Sequence, residues 1–246
     1  MKKTLLLAAF AFAGSIAFAQ KPAAGDKTAE INLLLQVGTA PISYGLPMNA
    51  NPKFANIPAE LRFRYFLSDK SAIRLRLGMG SQTTKTAFMD PTGTTTSDVT
   101  VKSGFGIMLT PGYEMHFEGT DKLSPYCGGE LGFMMAGSAT TEVTNSDNAS
   151  PTSATVKTGA SYSSTGGSSI GIRLGLFMGA DYYFTNSVYL GAEFGLGLFN
   201  AISTAEGTEK KKVSSGATEV TTKMPKSSDT YIFGTSVGGV RFGFKF

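Results

Sequence analysis

The residues with chemistry to offer are mostly charged, and they are spaced by twos. Arg62 and Arg64, then Arg74 and Arg76, alternate with apolar neighbours, and Glu60, Glu114, Glu130, Asp181, Glu193, Arg173, Arg241 and Lys245 each sit beside an apolar residue. In extended chain that spacing puts such groups on one face, where opposite charges can pair. Catalysis asks for more: a nucleophile and a base, or an acid and a base, within reach of each other. His116 is the only histidine and Cys127 the only cysteine. A catalytic constellation therefore has one candidate imidazole, read as an inward polar residue near Glu114. A His/Cys zinc site has too few ligands, and the carboxylates have arginines to pair with. No catalytic residue, metal ligand or cofactor is assigned. Gly104, Gly106, Gly195 and Gly197 lack the helix and the Lys-Ser or Lys-Thr that a phosphate-binding loop needs, and read as strand glycines. Cys127 reads as an inert small residue on an apolar face, and a lone cysteine excludes an intramolecular disulfide. The glycosylation-type triplet Asn148-Ala149-Ser150 is followed by Pro151 and carries no weight.

The elements that must position these charges are strands. From Ile170 to Phe184, the residues Ile172, Leu174, Leu176 and Met178 alternate with Arg173, Gly175, Phe177 and Gly179 in an unbroken period of two. Strands in soluble domains run to roughly 3 to 10 residues, whereas a tilted strand needs roughly 9 to 11 to cross a bilayer. The pattern recurs over residues 190–198, 61–67, 73–79, 105–117 and 126–135, and residues 31–37 and 232–246 supply a first and a last strand. The stretch 105–117 is the least regular. The sum is an all-β chain: eight antiparallel strands in an up-and-down transmembrane barrel.

Lys2 and Lys3 precede the apolar run from Leu5 to Phe18, and Ala17-Phe18-Ala19 offers small residues for cleavage, so residues 1–19 read as a signal peptide for Sec export. Removing it leaves 20 basic against 18 acidic residues, a net charge of +2 that predicts no nucleic-acid partner. No later run reaches the roughly 18 apolar residues of a membrane-spanning helix, so entry into a membrane must be as a barrel. Thirty glycines argue against a helical bundle, and 16% charged residues against disorder. Residues 20–28 read as a short flexible periplasmic lead-in and 29–246 as the barrel.

The connections sort into short turns near 68–71, 118–124 and 185–187 and long segments near 40–56, 85–98, 144–168 and 200–229, in strict alternation. Transmembrane barrels have short periplasmic turns and long extracellular loops, which places both termini in the periplasm. The long segments are rich in Thr, Ser, Gly and Lys, a composition that predicts mobile, solvated loops.

A soluble barrel would turn the apolar face inward and need a charged exterior, but here the second face is Gly, Arg, Glu and Tyr. Glycine gives no solubility, and makes more sense inside a narrow barrel, where arginines need room. The lumen then confines Glu60, Arg62, Arg64, Arg74, Arg76, Glu114, Glu130, Arg173, Asp181, Glu193, Arg241 and Lys245 together. An eight-stranded interior is just wide enough to be filled by side chains, so these groups are expected to form a plug. Tyr65, Phe66, Phe117, Tyr126, Tyr182, Tyr183, Phe184 and Tyr189 cluster near the short turns, where an interfacial aromatic girdle is expected.

The final strand, Val240-Arg241-Phe242-Gly243-Phe244-Lys245-Phe246, with the strand count and the signal peptide, resembles the small bacterial outer-membrane barrels of the OmpA and OmpX type over residues 29–246. The resemblance implies an outer-membrane location, surrounding outer-membrane lipid, and recognition by the barrel-assembly machinery through Phe242, Phe244 and Phe246. A periplasmic domain like that of full-length OmpA, with its peptidoglycan anchoring, is not expected. Such barrels include structural proteins, adhesins, small-solute channels and lipid-modifying enzymes, so fold does not name an activity. The sites favour a non-enzymatic monomer with a structural role, or one that binds an extracellular ligand through its loops. A narrow porin-like channel for small solutes or ions is the alternative. A lipid-modifying enzyme is weakest, since His116 lies toward the periplasmic end, far from surface substrates. Lys210, Lys211, Lys212, Lys223 and Lys226 read as a solvated charged loop, with contact to anionic lipid as the second reading.

Overall fold

The computed structural model describes residues 21–33, 60–81, 83–102 and 104–246, with only the backbone of 32, 33, 60 and 234–237. The expected signal peptide and the long connection near 40–56 lie outside the described residues.

Eight of the fourteen described strands close a barrel: β1 (Lys27–Leu33), β2 (Glu60–Ser68), β3 (Ser71–Gly80), β6 (Gly106–His116), β7 (Leu123–Ala136), β10 (Ser169–Tyr183), β11 (Val188–Thr204) and β14 (Ser227–Lys245). Around the barrel the order is β1-β14-β11-β10-β7-β6-β3-β2, and each neighbouring pair is antiparallel. No described helix is long and apolar enough to cross a membrane; the crossing is made by strands.

The apolar face points outward. Ile172, Leu174, Leu176, Met178 and Tyr182 on β10 are exposed, while Arg173, Phe177, Asp181 and Tyr183, at alternate positions of the same strand, are buried inside. In water that would be an inverted protein; in hydrocarbon it leaves the apolar side in its own solvent and satisfies the backbone between strands. Glycine makes the crowded interior possible. A side chain at Gly191 would run into Asp181 and Arg241, and one at Gly179 into the Tyr126 hydroxyl.

The ladders are interrupted at a few points. Between β6 and β7 the register runs from Gly106 to Leu109 and resumes at Gly112, skipping Thr110 and Pro111, where proline has no N–H to give. Between β10 and β11 it slips at Leu174/Gly175, and between β11 and β14 at Gly197/Phe199. Beyond that second slip Asn200 and Ile202 point inward.

Three expectations need correction. The segment before β1 is tied down, not loose: the Gly25 amide donates to the Phe66 carbonyl at 2.8 Å, the Phe66 amide to Asp26 at 3.0 Å, and the Ala24 amide to the Asp69 carboxylate at 3.0 Å. The aromatic girdle is split. Tyr65, Phe117 and Tyr182 are exposed outside, but Phe66, Tyr126, Tyr183 and Tyr189 are buried in the lumen.

The largest difference concerns the long segments near 85–98, 144–168 and 200–229, expected to be mobile loops. They carry β4 (Thr83–Met89), β5 (Thr96–Lys102), β8 (Thr140–Thr144), β9 (Ser161–Thr165), β12 (Gly207–Lys212) and β13 (Val220–Met224), joined as one six-stranded sheet in the order β13-β12-β9-β8-β5-β4. The barrel already holds the roots of these segments at strand spacing, so less entropy is lost in pairing them than in a free chain. Threonine, which made them look disordered, is β-branched and favours extended backbone. One face also has a small core of Val99, Val143, Ala160, Ser97 and Ser146. The 145–160 connection includes a 3₁₀ turn at Ser153–Thr155.

Candidate functional site

Every barrel strand contributes an ionisable side chain to the lumen. On the β2–β3 hairpin Arg62 stands directly opposite Arg76, and Arg64 opposite Arg74. Four guanidinium groups facing each other in pairs repel. Their counter-charges come from other strands: Glu30 on β1, Glu114 on β6, Glu130 on β7, Asp181 on β10 and Glu193 on β11, all buried. Glu30 and Glu114 come from the strands flanking the hairpin; Glu130, Asp181 and Glu193 reach the arginines only across the closed barrel.

The contacts interlock. Arg62 grips both carboxylate oxygens of Glu193, Nη1 to Oε2 at 2.8 Å and Nη2 to Oε1 at 2.9 Å, the fork geometry that makes arginine pairs strong. Arg74 reaches the same Glu193 Oε2 at 2.9 Å and Glu114 at 3.2 Å, and bonds Glu130 as well. Arg64 joins Glu30 at 2.6 Å, Glu114 at 3.1 Å and Asp181 at 2.7 Å. Arg241 spans Glu30 at 2.6 Å and Asp181 at 2.8 Å, and Arg76 meets Glu130 at 2.6 Å. Arg173 lies 3.6 Å from Glu130. Tyr126 donates to Glu193 at 2.8 Å and receives a bond from Arg241. The guanidinium of Arg74 also lies 3.1 Å from the centroid of the Phe177 ring, a cation–π contact.

Layers of different chemistry bound this network. Toward the short turns, Tyr183 and Tyr189 pack with ring centroids 4.8 Å apart, and Phe66 packs on the His116 ring at 5.1 Å. Toward the six-stranded sheet, Met108, Met134, Ala136 and Ile202 form a compact apolar cluster. An ion moving along the axis would meet aromatic rings, then paired charges, then an apolar layer.

His116 bonds Ser124 Oγ through Nδ1 at 2.9 Å and Glu114 through Nε2 at 3.2 Å. On paper this is a serine, a histidine and an acid in line. Ser124 is only 3% exposed, and Glu114 is engaged by Arg64 and Arg74, so the hydroxyl has no open face for a substrate carbonyl. We read the trio as a polar floor to the lumen.

Of the residues singled out in the sequence, Arg62, Arg64, Arg74, Arg76, Glu114, Glu130, Arg173, Asp181, Glu193 and Arg241 are brought into one cluster. Lys245 stands apart at the rim, 3.1 Å from Asp26. The Glu60 side chain lies outside the described residues. Phe244 and Phe246 are exposed on the outer surface, and Phe242 packs edge-on against Phe244 at 5.0 Å. Sequence reasoning missed Glu30, although Ile31 pointing outward implied its direction. It also missed the inward roles of Asn200 and Ile202, where the β11 bulge had reversed the faces; Tyr126, Tyr183 and Tyr189 lie on the inner face that the alternation assigned to tyrosine, and only their place in a girdle fails. Among the described residues no group of acids, histidine and cysteine has the makings of a metal site.

The fold and its interior define a class: a transmembrane antiparallel barrel filled by paired charges. Residues 47–196 match the family described as "Putative OmpA-OmpF-like porin family", and the chain belongs to that family of outer-membrane barrels. Among solved structures it is similar to the N-terminal β-barrel domain of Pseudomonas aeruginosa OprF, at 14% identity and a TM-score of 0.39, covering 92% of this chain and 100% of that one. It is also similar to the outer membrane protein OprG of Pseudomonas aeruginosa, at 12% identity and a TM-score of 0.42, covering 93% and 99%. No curated protein matches the sequence.

Proposed function

We propose that this chain is a non-enzymatic outer-membrane barrel with a sealed lumen, serving the envelope structurally and presenting its six-stranded sheet to the outside. The observation that carries this reading is the eight-strand ion-pair network stacked against the Met108, Met134, Ala136 and Ile202 layer. Opening a water path would unpair several buried charges at once, each a costly event in a low-dielectric interior. In this account the short turns and both termini face the periplasm, residues 1–19 direct export through the Sec pathway, and Phe242, Phe244 and Phe246 are read by the assembly machinery. The barrel acts as a monomer, and neither a cofactor nor a nucleic acid takes part. The test is solute flux: vesicles carrying the inserted full chain should swell no faster in small sugars than vesicles without it. Swelling that falls off with sugar size would overturn the sealed lumen.

The second reading, a narrow channel for small solutes or ions, is favoured by the family's description as porins. It requires the arginines to trade carboxylates and the apolar layer to part. Glu114 and Glu193, each shared by more than one arginine, are where such a trade would start.

A further inference from the structure

The outward side of the barrel is uncharged with one exception. Along the described outward positions of β1, β2, β3, β6, β7 and β10, Lys27 is the single charged residue. It stands directly opposite Tyr65 across β1 and β2, and Ile73 on β3 continues the row. The next row is Phe63, Leu75 and Pro111. All of these side chains are exposed. Neither the Lys27 ammonium nor the Tyr65 hydroxyl has a hydrogen-bond or ion-pair partner among the described residues.

Between the two rows runs a groove of about 580 Å³, within the roughly 300–1,000 Å³ of ordinary ligand sites. Its floor is the barrel wall at Arg64 and Arg74, whose side chains are turned into the lumen, and at Gly112, which has none. Phe63, Ile73, Leu75, Pro111 and Phe246 give it apolar sides. With the strands in the order β1-β2-β3-β6, Lys27 lies at one end and Pro111 at the other. Tyr65 is three residues from Ser68 at the short-turn end of β2, about 10 Å along the strand. That is the level at which lipid phosphates give way to acyl chains, and where lysine and tyrosine anchor membrane proteins. A phosphate oxygen accepts from both an ammonium and a phenol, while the apolar length of the groove suits hydrocarbon.

We propose that the groove holds one phospholipid of the surrounding bilayer, with an acyl chain across Phe63, Leu75 and Pro111 and the phosphate against Lys27 and Tyr65. A lysine that only reaches for headgroups needs no groove beside it, and a groove that only packs hydrocarbon needs no charge at its end. Here the one outward charge and the groove coincide. The site rests on the lipid-facing exterior and not on a sealed lumen; the orientation given above puts it in the periplasmic leaflet.

The chain contains no tryptophan, so a single introduced one reports on its own surroundings. Leu77→Trp on β3 puts a reporter one row beyond Leu75, and Leu190→Trp on β11 puts a control on the far side of the barrel. The folded full chain in nonionic detergent micelles is titrated with phosphatidylglycerol brominated on its acyl chains, which quenches tryptophan on contact. Micelles leave both ends accessible, so neither the orientation nor the state of the lumen enters the result. Leu77→Trp should reach half-quenching at about fivefold less lipid than the control, the size of one lysine–phosphate contact at a membrane surface. Adding Lys27→Gln should abolish that difference, and brominated diacylglycerol, which has no phosphate, should show none. Leu75→Phe, which fills the groove with Lys27 in place, should shrink the difference and serves if Lys27→Gln disturbs folding. Equal quenching of the two reporters would overturn the proposal, as would a difference that survives Lys27→Gln, Leu75→Phe or removal of the phosphate. So would shielding of the Leu77→Trp reporter from lipid as protein concentration rises, since the groove would then be a contact between two copies.

Discussion

The lumen and the six-stranded sheet are both polar, and they are held in opposite ways. In the lumen, pairs such as Arg62–Glu193 and Arg241–Glu30 join residues 131 and 211 positions apart, and every partner is dry. In the sheet, Lys102–Glu142 and Lys210–Glu219 are 3.8 and 3.4 Å contacts between side chains about half exposed. Water screens such pairs to about 0–1 kcal/mol, so backbone pairing and the small Val99–Val143 core carry the sheet. A polar residue is thus a global constraint in one region and a local ornament in the other. The β2–β3 arginines, repelling until the acids of β1, β6, β7, β10 and β11 arrive, tie the network to closure of the whole barrel.

The sharpest break in that comparison is Glu193→Ala. It strands Arg62 and Arg74 in a buried site, and unfolding of the detergent-held barrel by denaturant should show a loss of about 3–5 kcal/mol; removing the exposed Glu219 should cost no more than about 0.5 kcal/mol. Equal losses would erase the distinction. Leu174→Arg places a charge against lipid at mid-strand and should cost about 2–4 kcal/mol in the same measurement. Val143→Ala, in the sheet core, should cost about 1–2 kcal/mol for its two lost methyl equivalents. Because that cost is local, it should appear as about tenfold faster amide exchange in β5 and β8 with the barrel's own unfolding unchanged. Coupled unfolding of both regions would show that the sheet is part of the barrel's cooperative unit.

The smallest effect concerns the β4–β5 turn. Hydrogen bonds from the Thr92 hydroxyl, and then from the Thr95 and Thr94 amides, lower the Asp90 carboxyl from 3.8 to about 2. A carboxyl lowered in the folded state stabilises the turn above its ordinary value, and that contribution is lost as pH falls through about 2. Protection of the Thr94 and Thr95 amides should therefore persist at pH 3 and fade near pH 2. In Asp90→Asn this pH dependence should disappear.

The barrel was legible because a period of two, kept up over segments as long as 170–184, suits a membrane-crossing strand and little else, and because alternation assigned Arg173, Asp181, Glu193 and Arg241 to one face. What alternation cannot report is a change of phase. The β11 bulge turned Asn200 and Ile202 inward and so hid the apolar layer. Glu30 was overlooked because the short β1 has only a few alternating residues to set its phase. The sheet was misread for a different reason. Composition measures how much apolar surface a segment can bury alone, whereas these segments grow from strands already aligned by the barrel. The buried tyrosines were read into a girdle although alternation set Tyr126, Tyr183 and Tyr189 on the inner face; nearness to the short turns was given more weight than face, and face decides between lipid and lumen.

The claim on which the rest depends is that the charge network and the apolar layer together close the lumen. Single-channel recording of the refolded full chain in a planar bilayer, on a sample shown to be folded and inserted, tests it most directly. The account predicts silence from the inserted native barrel. Steady, ion-selective openings in that barrel would contradict it and make Arg74, Arg76 and Glu130 the lining of a conducting path.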